Sequence, residues 1–323
     1  MKLDVDGVNV QLGTKVGVAD LVEYDAVVMA TGVTPRALDI PGIEHPKVLN
    51  YVDVLRGEAR VGEKVAVVGA GGIGFDVAEY LTHDHSNTAD AGRHGGHSAG
   101  AGAGKHGIDD IPPPPDVAEF MAKWGVDMKN EARGGLVEKG GWDSPRQVQL
   151  LQRKTSKHGA TLGKTTGWIH RAGLNLTGVE MIGGVSYDSV DADGNLHITI
   201  KQKAEKGARA DAGAGAAGAK DAGGEKGAAK KEKYTTVGRV LEVDNIVICA
   251  GQVSLVELEA PLKAAGVTVF KIGGAQYAGE LDANRAIDQG TRLALQVEAA
   301  KTGDVFERPV GVAAQIMERM MKK

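Results

Sequence analysis

In VAVVGAGGIGFD (residues 65–76), Gly69, Gly71 and Gly74 stand at the spacing G-x-G-x-x-G. The chemistry open to that pattern is capture of a dinucleotide pyrophosphate. The first glycine permits a tight turn, the second lets backbone approach the phosphates, and the third lets helix and strand pack closely. Ala70 and Gly72 complete the turn, and FDVAEYL continues it as a helix whose N-terminus offers unpaired N–H groups to an anion. The competing reading is a glycine-rich strand-to-helix corner that holds nothing.

An NAD site places an acid at the end of the next strand. Here the next strand, QVQLLQRK (147–154), ends in Arg153 and Lys154. Two cations there suit the 2′-phosphate of NADPH, with arginine able to make paired contacts. The alternative is a basic strand end facing solvent. Asp76, on the residues alone, reads as an acid in the first helical turn favoured by the helix dipole.

The elements that would position these residues are short apolar runs ending in glycine: YDAVVMATG (24–32), KVAVVGAGG (64–72), VDNIVICAG (243–251) and VTVFKIGG (267–274). Bounded β-branched runs of this length fit buried strands of an open α/β sheet, which binds ligands at the carboxyl ends of its strands. Two tracts interrupt the pattern. Residues 83–107 are rich in Gly, Ala and His and lead to PPPP at 112–115, and residues 201–233 are rich in Lys, Ala and Gly. Neither can bury enough apolar surface to offset its ordering entropy, so both read as solvated loop insertions. The second falls between HITI (197–200) and YTTVGRVLEVDNIVICAG (234–251), with the turn dipeptide Asp193-Gly194 just before, which predicts a β-meander with one lengthened hairpin loop.

The whole chain of 323 residues is 42% apolar and 25% charged, which suits a two-domain globular protein. A net charge of −4 gives no reason to expect nucleic acid or a membrane surface as partner. The single cysteine, Cys249, excludes an intrachain disulphide and an all-cysteine cage for zinc or an iron–sulfur cluster. With no apolar leader region and no run of about 18 apolar residues, the expectation is a soluble intracellular protein, cytoplasmic or in the mitochondrial matrix, without a membrane span.

The motifs ATGVTPR (30–36), IPGIEHPKVLNYVDVLRG (40–57), VGEKVAVVGAGGIGFDVAEYL (61–81), SPRQVQLLQRKTSKHGATLGKTTGWIHR (144–171), VDNIVICAGQ (243–252) and ELDANRAIDQGTRLAL (280–295) resemble the bacterial-type 2,4-dienoyl-CoA reductases. These are iron–sulfur flavoproteins related to old yellow enzyme and trimethylamine dehydrogenase. The resemblance implies an electron path from NADPH to FAD, then through a 4Fe-4S cluster to FMN, and on to an unsaturated fatty acyl-CoA. It also implies that FMN, cluster and substrate belong to an N-terminal reductase barrel, upstream or on a separate chain, so that this chain is the C-terminal, electron-input part. Gly69, Gly71 and Gly74 match the family's NADPH turn, with Arg153 and Lys154 near the 2′-phosphate, and Asp76 falls where related flavoprotein reductases place a carboxylate close to the nicotinamide, a reading that stands beside the helix-dipole one. Ala30, Thr31 and Gly32 match the strand end beneath FAD, Ala250 and Gly251 the turn closing the NADPH domain, and Gly273 and Gly274 a position against the flavin ribityl chain, where no acid follows until Glu280.

Three further signals are discounted. Five histidines in the first tract, His83, His85, His94, His97 and His106, are irregularly spaced and lack a cysteine partner, so no metal site is assigned. GATLGKT (159–165) has one residue too few for a phosphate-binding loop and belongs with the NADPH-domain segment. Cys249, inside a strand, reads as a small hydrophobe. The expectation is thus an α/β protein: a Rossmann-like NADP-binding domain with parallel sheet and β-meander, about 58–252, inserted into a partial FAD-binding domain of residues 1–57 and 253–323. The segment VAAQIMERMMKK is expected to pack as a helix on that second domain, and no catalytic residue is named.

Overall fold

The computed structural model describes residues 7–83, 116–140, 144–160, 162–163, 165–203, 234–279 and 281–307. Most of both low-complexity tracts, four of the five discounted histidines, Glu280 and VAAQIMERMMKK lie outside them. The strands are β1 (Ala26–Met29), β2 (Val33–Pro35), β3 (Val48–Asn50), β4 (Lys64–Val68), β5 (Gln147–Gln152), β6 (Glu180–Gly183), β7 (Val185–Val190), β8 (Leu196–Lys203), β9 (Tyr234–Leu241), β10 (Asn245–Ile248), β11 (Gln252–Ser254) and β12 (Thr268–Lys271). The α-helices are α1 (Tyr51–Leu55), α2 (Gly72–Leu81), α3 (Val117–Lys123), α4 (Gly167–Leu176), α5 (Glu259–Ala264) and α6 (Ala283–Ala294). No helix among the described residues is long and apolar enough to cross a membrane.

The chain divides into two units, one of residues 1–36 and 251–323, the other of residues 37–250. The second is a continuous insert in the first. Residues 37–57, grouped by the sequence with the flanking segment, join the insert through β3, which pairs with β10.

The insert is built on a five-stranded parallel sheet in the order β3-β10-β4-β5-β6. Its central strand β4 has the run KVAVV because both faces are covered. Val65 and Val67 pack with Phe75, Val77, Ala78 and Leu81 of α2 and Leu174 of α4. Ala66 and Val68 face the other way, against Leu196, Ile198, Ile200 and Leu241. Those residues come from the antiparallel sheet β7-β8-β9, the meander predicted from the sequence. Gly194 of the Asp-Gly turn takes φ +81°, which favours glycine in that position. The result is an α/β fold of helices, parallel sheet and meander in layers.

The flanking unit pairs β1 with β12 in parallel and β2 with β11 antiparallel. Met29, Leu262, Val267, Val269 and Ala275 form one of its cores, and Phe270, Leu293 and Phe306 another, with the two phenylalanine rings edge to face at 5.8 Å. Of the four glycine-ended runs, two therefore lie in the large sheet and two in this smaller pair.

Candidate nucleotide-binding site

The glycine turn leaves β4 at the carboxyl edge of the large sheet, between the ends of β5 and β10. The Gly69 N–H donates to the Leu151 carbonyl at 3.0 Å, and the Cys249 N–H donates to the Val68 carbonyl at 2.8 Å. Gly69 has φ +111°, and a Cβ there would stand 2.5 Å from the Cys249 carbonyl oxygen and 3.1 Å from the Cα of Ala250. Neither the dihedral nor the space admits a side chain. At Gly74, in the first turn of α2, a Cβ would overlap the Gly69 carbonyl oxygen, so this glycine sets how closely helix and strand meet.

Gly71 and Gly72 differ. Both are exposed, and a Cβ on either would meet nothing within 4 Å. Gly71, the N-cap of α2, has an ordinary extended backbone (φ −84°). Nothing in the protein itself requires glycine at these two positions. The open ground lies in front of a ten-residue helix whose first N–H groups lack intrahelical acceptors, which is where a pyrophosphate is received. The residues present therefore fit a dinucleotide.

Arg153 and Lys154 follow β5, the strand beside β4, and both are exposed. Neither side chain makes a hydrogen bond or ion pair among the described residues. The structure thus places the glycine turn, Ala250 and the two cations along one edge of one sheet.

Asp76 is the fifth residue of α2, beyond the first turn, so the helix-dipole reading of this acid does not hold. It is exposed at its rim, yet burial within its surroundings raises its carboxyl pKa, with the nearby His170 opposing and Glu79 adding to the rise. His170, in the first turns of α4, lies 3.5 Å from the Glu79 carboxylate. Sequence reasoning named neither His170 nor Glu79; only the packing of α4 beside α2 brings them together.

Cys249 is buried behind the turn, and burial pushes its thiol up to about 12. A thiolate is the reactive form. Labelling with a thiol reagent at pH 8 should therefore leave native protein unmodified and proceed at once in denaturant; rapid native labelling would contradict the burial.

A second group of sequence-named residues gathers in the flanking unit. Ala30, Thr31 and Gly32 follow β1, and the Thr31 hydroxyl donates to the Leu255 carbonyl at 2.5 Å. Gly32 takes φ +75° with open space beside it. A Cβ on Gly274 would stand 3.2 Å from Gly32, and one on Gly273 (φ +59°) 3.2 Å from the Cβ of Ala286 on α6. The Gly273 N–H already donates to the buried Gln289 side chain at 2.7 Å, so its contribution is conformational. Gly251 has φ +98°, and its carbonyl accepts from the Arg36 N–H at 3.0 Å. Among the described residues no cluster of His, Cys, Asp or Glu could hold a metal.

The profile of the pyridine nucleotide-disulphide oxidoreductases matches residues 1–285. A cinnamate reductase from Clostridium sporogenes is 38% identical over 77 residues, 23% of this chain and 11% of that protein. Among solved structures, a 2-naphthoyl-CoA reductase bound to 2-naphthoyl-CoA superposes with a TM-score of 0.51 at 17% identity, covering 88% of this chain and 29% of that one. Histamine dehydrogenase from Rhizobium sp. 4-9 gives a TM-score of 0.51 at 15% identity, covering 92% of this chain and 35% of that one. The chain spans about a third or less of the length of these proteins. The match over most of its length places the chain in the pyridine nucleotide-disulphide oxidoreductase family of FAD- and NAD(P)H-dependent flavoproteins.

Proposed function

We propose that the chain is the electron-input part of an NADPH-dependent flavoprotein reductase of the 2,4-dienoyl-CoA reductase type, acting on unsaturated fatty acyl-CoA in β-oxidation. The observation that carries the NADPH part is the division of labour in the glycine turn, where Gly69 and Gly74 are required by the fold and Gly71 and Gly72 leave space for a ligand. Arg153 and Lys154 at the neighbouring strand end would hold the 2′-phosphate. Ala30, Thr31, Gly32, Gly273 and Gly274 would line the FAD, and Ala250 and Gly251 would close the nucleotide domain. When bound, NADPH supplies a hydride and FAD accepts it. The protein's part is to orient the two and exclude water, without an acid or base of its own. The acyl-CoA substrate rests on the motif resemblance, as does a reductase barrel with FMN and a 4Fe-4S cluster, upstream or on a partner chain.

A second reading, an NADP-binding unit that holds no flavin alone, draws on the flanking unit. Its parallel pair β1-β12 leaves Val28 44% exposed, whereas a parallel sheet is normally covered on both faces. An absorbance spectrum separates the two readings. The purified chain is mixed with FAD, desalted, and reduced anaerobically with NADPH. A retained flavin band that bleaches supports the first reading, and loss of the flavin on desalting supports the second.

A further inference from the structure

We propose that Gln152 and Arg171 are positioning residues that set the preference for a 2′-phosphorylated nucleotide, by holding the cation-bearing loop 153–159 from its two ends. The inference rests on the assignment of Arg153 and Lys154 to the 2′-phosphate.

Gln152, the last residue of β5, turns its half-buried side chain along the loop instead of out to solvent. Its Nε2 donates to the Lys154 carbonyl at 2.9 Å and to the Ser156 carbonyl at 2.7 Å. Both amide hydrogens are thereby committed to carbonyls on either side of Thr155. The Lys154 carbonyl also accepts from the Gly184 N–H at 3.0 Å. At the far end, Nη1 of Arg171 on α4 donates to the carbonyls of His158 and Gly159 at 3.3 and 3.4 Å.

The floor beneath is fitted to the loop. A Cβ on Gly183 would stand 3.3 Å from the Lys154 carbonyl oxygen, and one on Gly184 would stand 3.2 Å from the Thr155 methyl. His158 sits partly buried, with its Nε2 enclosed and in no hydrogen bond. Burial lowers the pKa of that ring, although the Ile182 and Leu150 carbonyls nearby oppose the effect.

A loop with no regular hydrogen bonding would spread its cations over many conformations, and a ligand would have to order them on binding. Here two side chains have already fixed the backbone that carries Arg153 and Lys154. A neutral amide suits the position: a carboxylate at 152 would face two carbonyls without a donor, and an ammonium would compete for the phosphate.

The test compares 2′,5′-ADP with 5′-AMP by calorimetry on the full chain, so that the ratio of affinities isolates the 2′-phosphate. Wild type should prefer 2′,5′-ADP. Gln152→Met, which keeps the length and removes the donors, should reduce that preference by roughly fivefold to tenfold while 5′-AMP binding and the melting temperature stay near wild type. Arg171→Met should act in the same direction and serves as the second lever if Gln152→Met does not fold. Arg153→Ala/Lys154→Ala is measured alongside. Preference lost in that double variant but intact in both methionine variants overturns the positioning role and leaves the phosphate assignment standing. Absence of any preference in wild type removes the assignment and the inference with it.

Discussion

Gly74→Ala and Gly71→Ala should part company completely, although both add one methyl group to the same turn. At Gly74 the new Cβ would overlap the Gly69 carbonyl oxygen, a backbone atom of a turn already tied to Leu151, so it cannot be relieved by a rotamer change. Overpacking of this kind costs about 3 kcal/mol or more, a large share of a domain's stability. The urea midpoint of Gly74→Ala should fall steeply, or the protein should fail to accumulate. Gly71→Ala meets nothing, has a φ open to alanine and loses unfolded-chain entropy, so its midpoint should equal or exceed that of wild type. Its NADPH affinity should nevertheless drop by about tenfold to a hundredfold, since the methyl group would occupy the ground over which phosphates and backbone N–H groups meet. A Gly71→Ala protein that binds NADPH as well as wild type would show that the open space serves no nucleotide.

Arg153→Ala should weaken NADPH by about tenfold to a hundredfold, the usual worth of one charge-assisted contact to a phosphate, and leave NADH unchanged. Arg153 is exposed and its side chain makes no hydrogen bond or ion pair among the described residues, so the melting temperature should not move. The effect should shrink at high salt, because a solvent-exposed charge pair is screened within about 10 Å at 0.1 M ionic strength. Equal losses for NADPH and NADH would remove the 2′-phosphate from this strand end.

The parts of this architecture that sequence makes legible are those encoded by local rules. Of the glycines at 69, 71 and 74, the structure gives a steric reason for two: positive φ and the Cys249 carbonyl at Gly69, and the Gly69 carbonyl at Gly74, while the backbone leaves Gly71 free. The four glycine-ended apolar runs are all strands, and the Asp193-Gly194 turn does form the first hairpin of a meander. What sequence conceals is partnership. KVAVV and AVVM look alike as buried strands, yet one lies in the middle of five and the other in a pair, since neighbours in a parallel sheet are set by contacts far apart in the chain. The same holds for His170 beside Glu79, and for Gln152, whose amide reads as an unremarkable polar strand end until its two carbonyl partners are in view.

The flanking unit is discontinuous, and this orders events during synthesis. Its strand β1 is made before the insert but pairs with β12, which cannot leave the ribosome until all of residues 37–250 have been made. Until then the nascent β1 is an unpaired apolar edge, the kind of segment that chaperones hold and aggregates recruit. Folding of the insert solves the problem geometrically. Once the insert is compact, its two ends emerge side by side, as the Arg36 N–H to Gly251 carbonyl bond requires, and a closure that spanned the whole insert becomes one of a few residues. Closure of the outer unit thus waits on folding of the insert, and variants that destabilise the insert, Gly74→Ala foremost, should leave the outer unit unfolded as well.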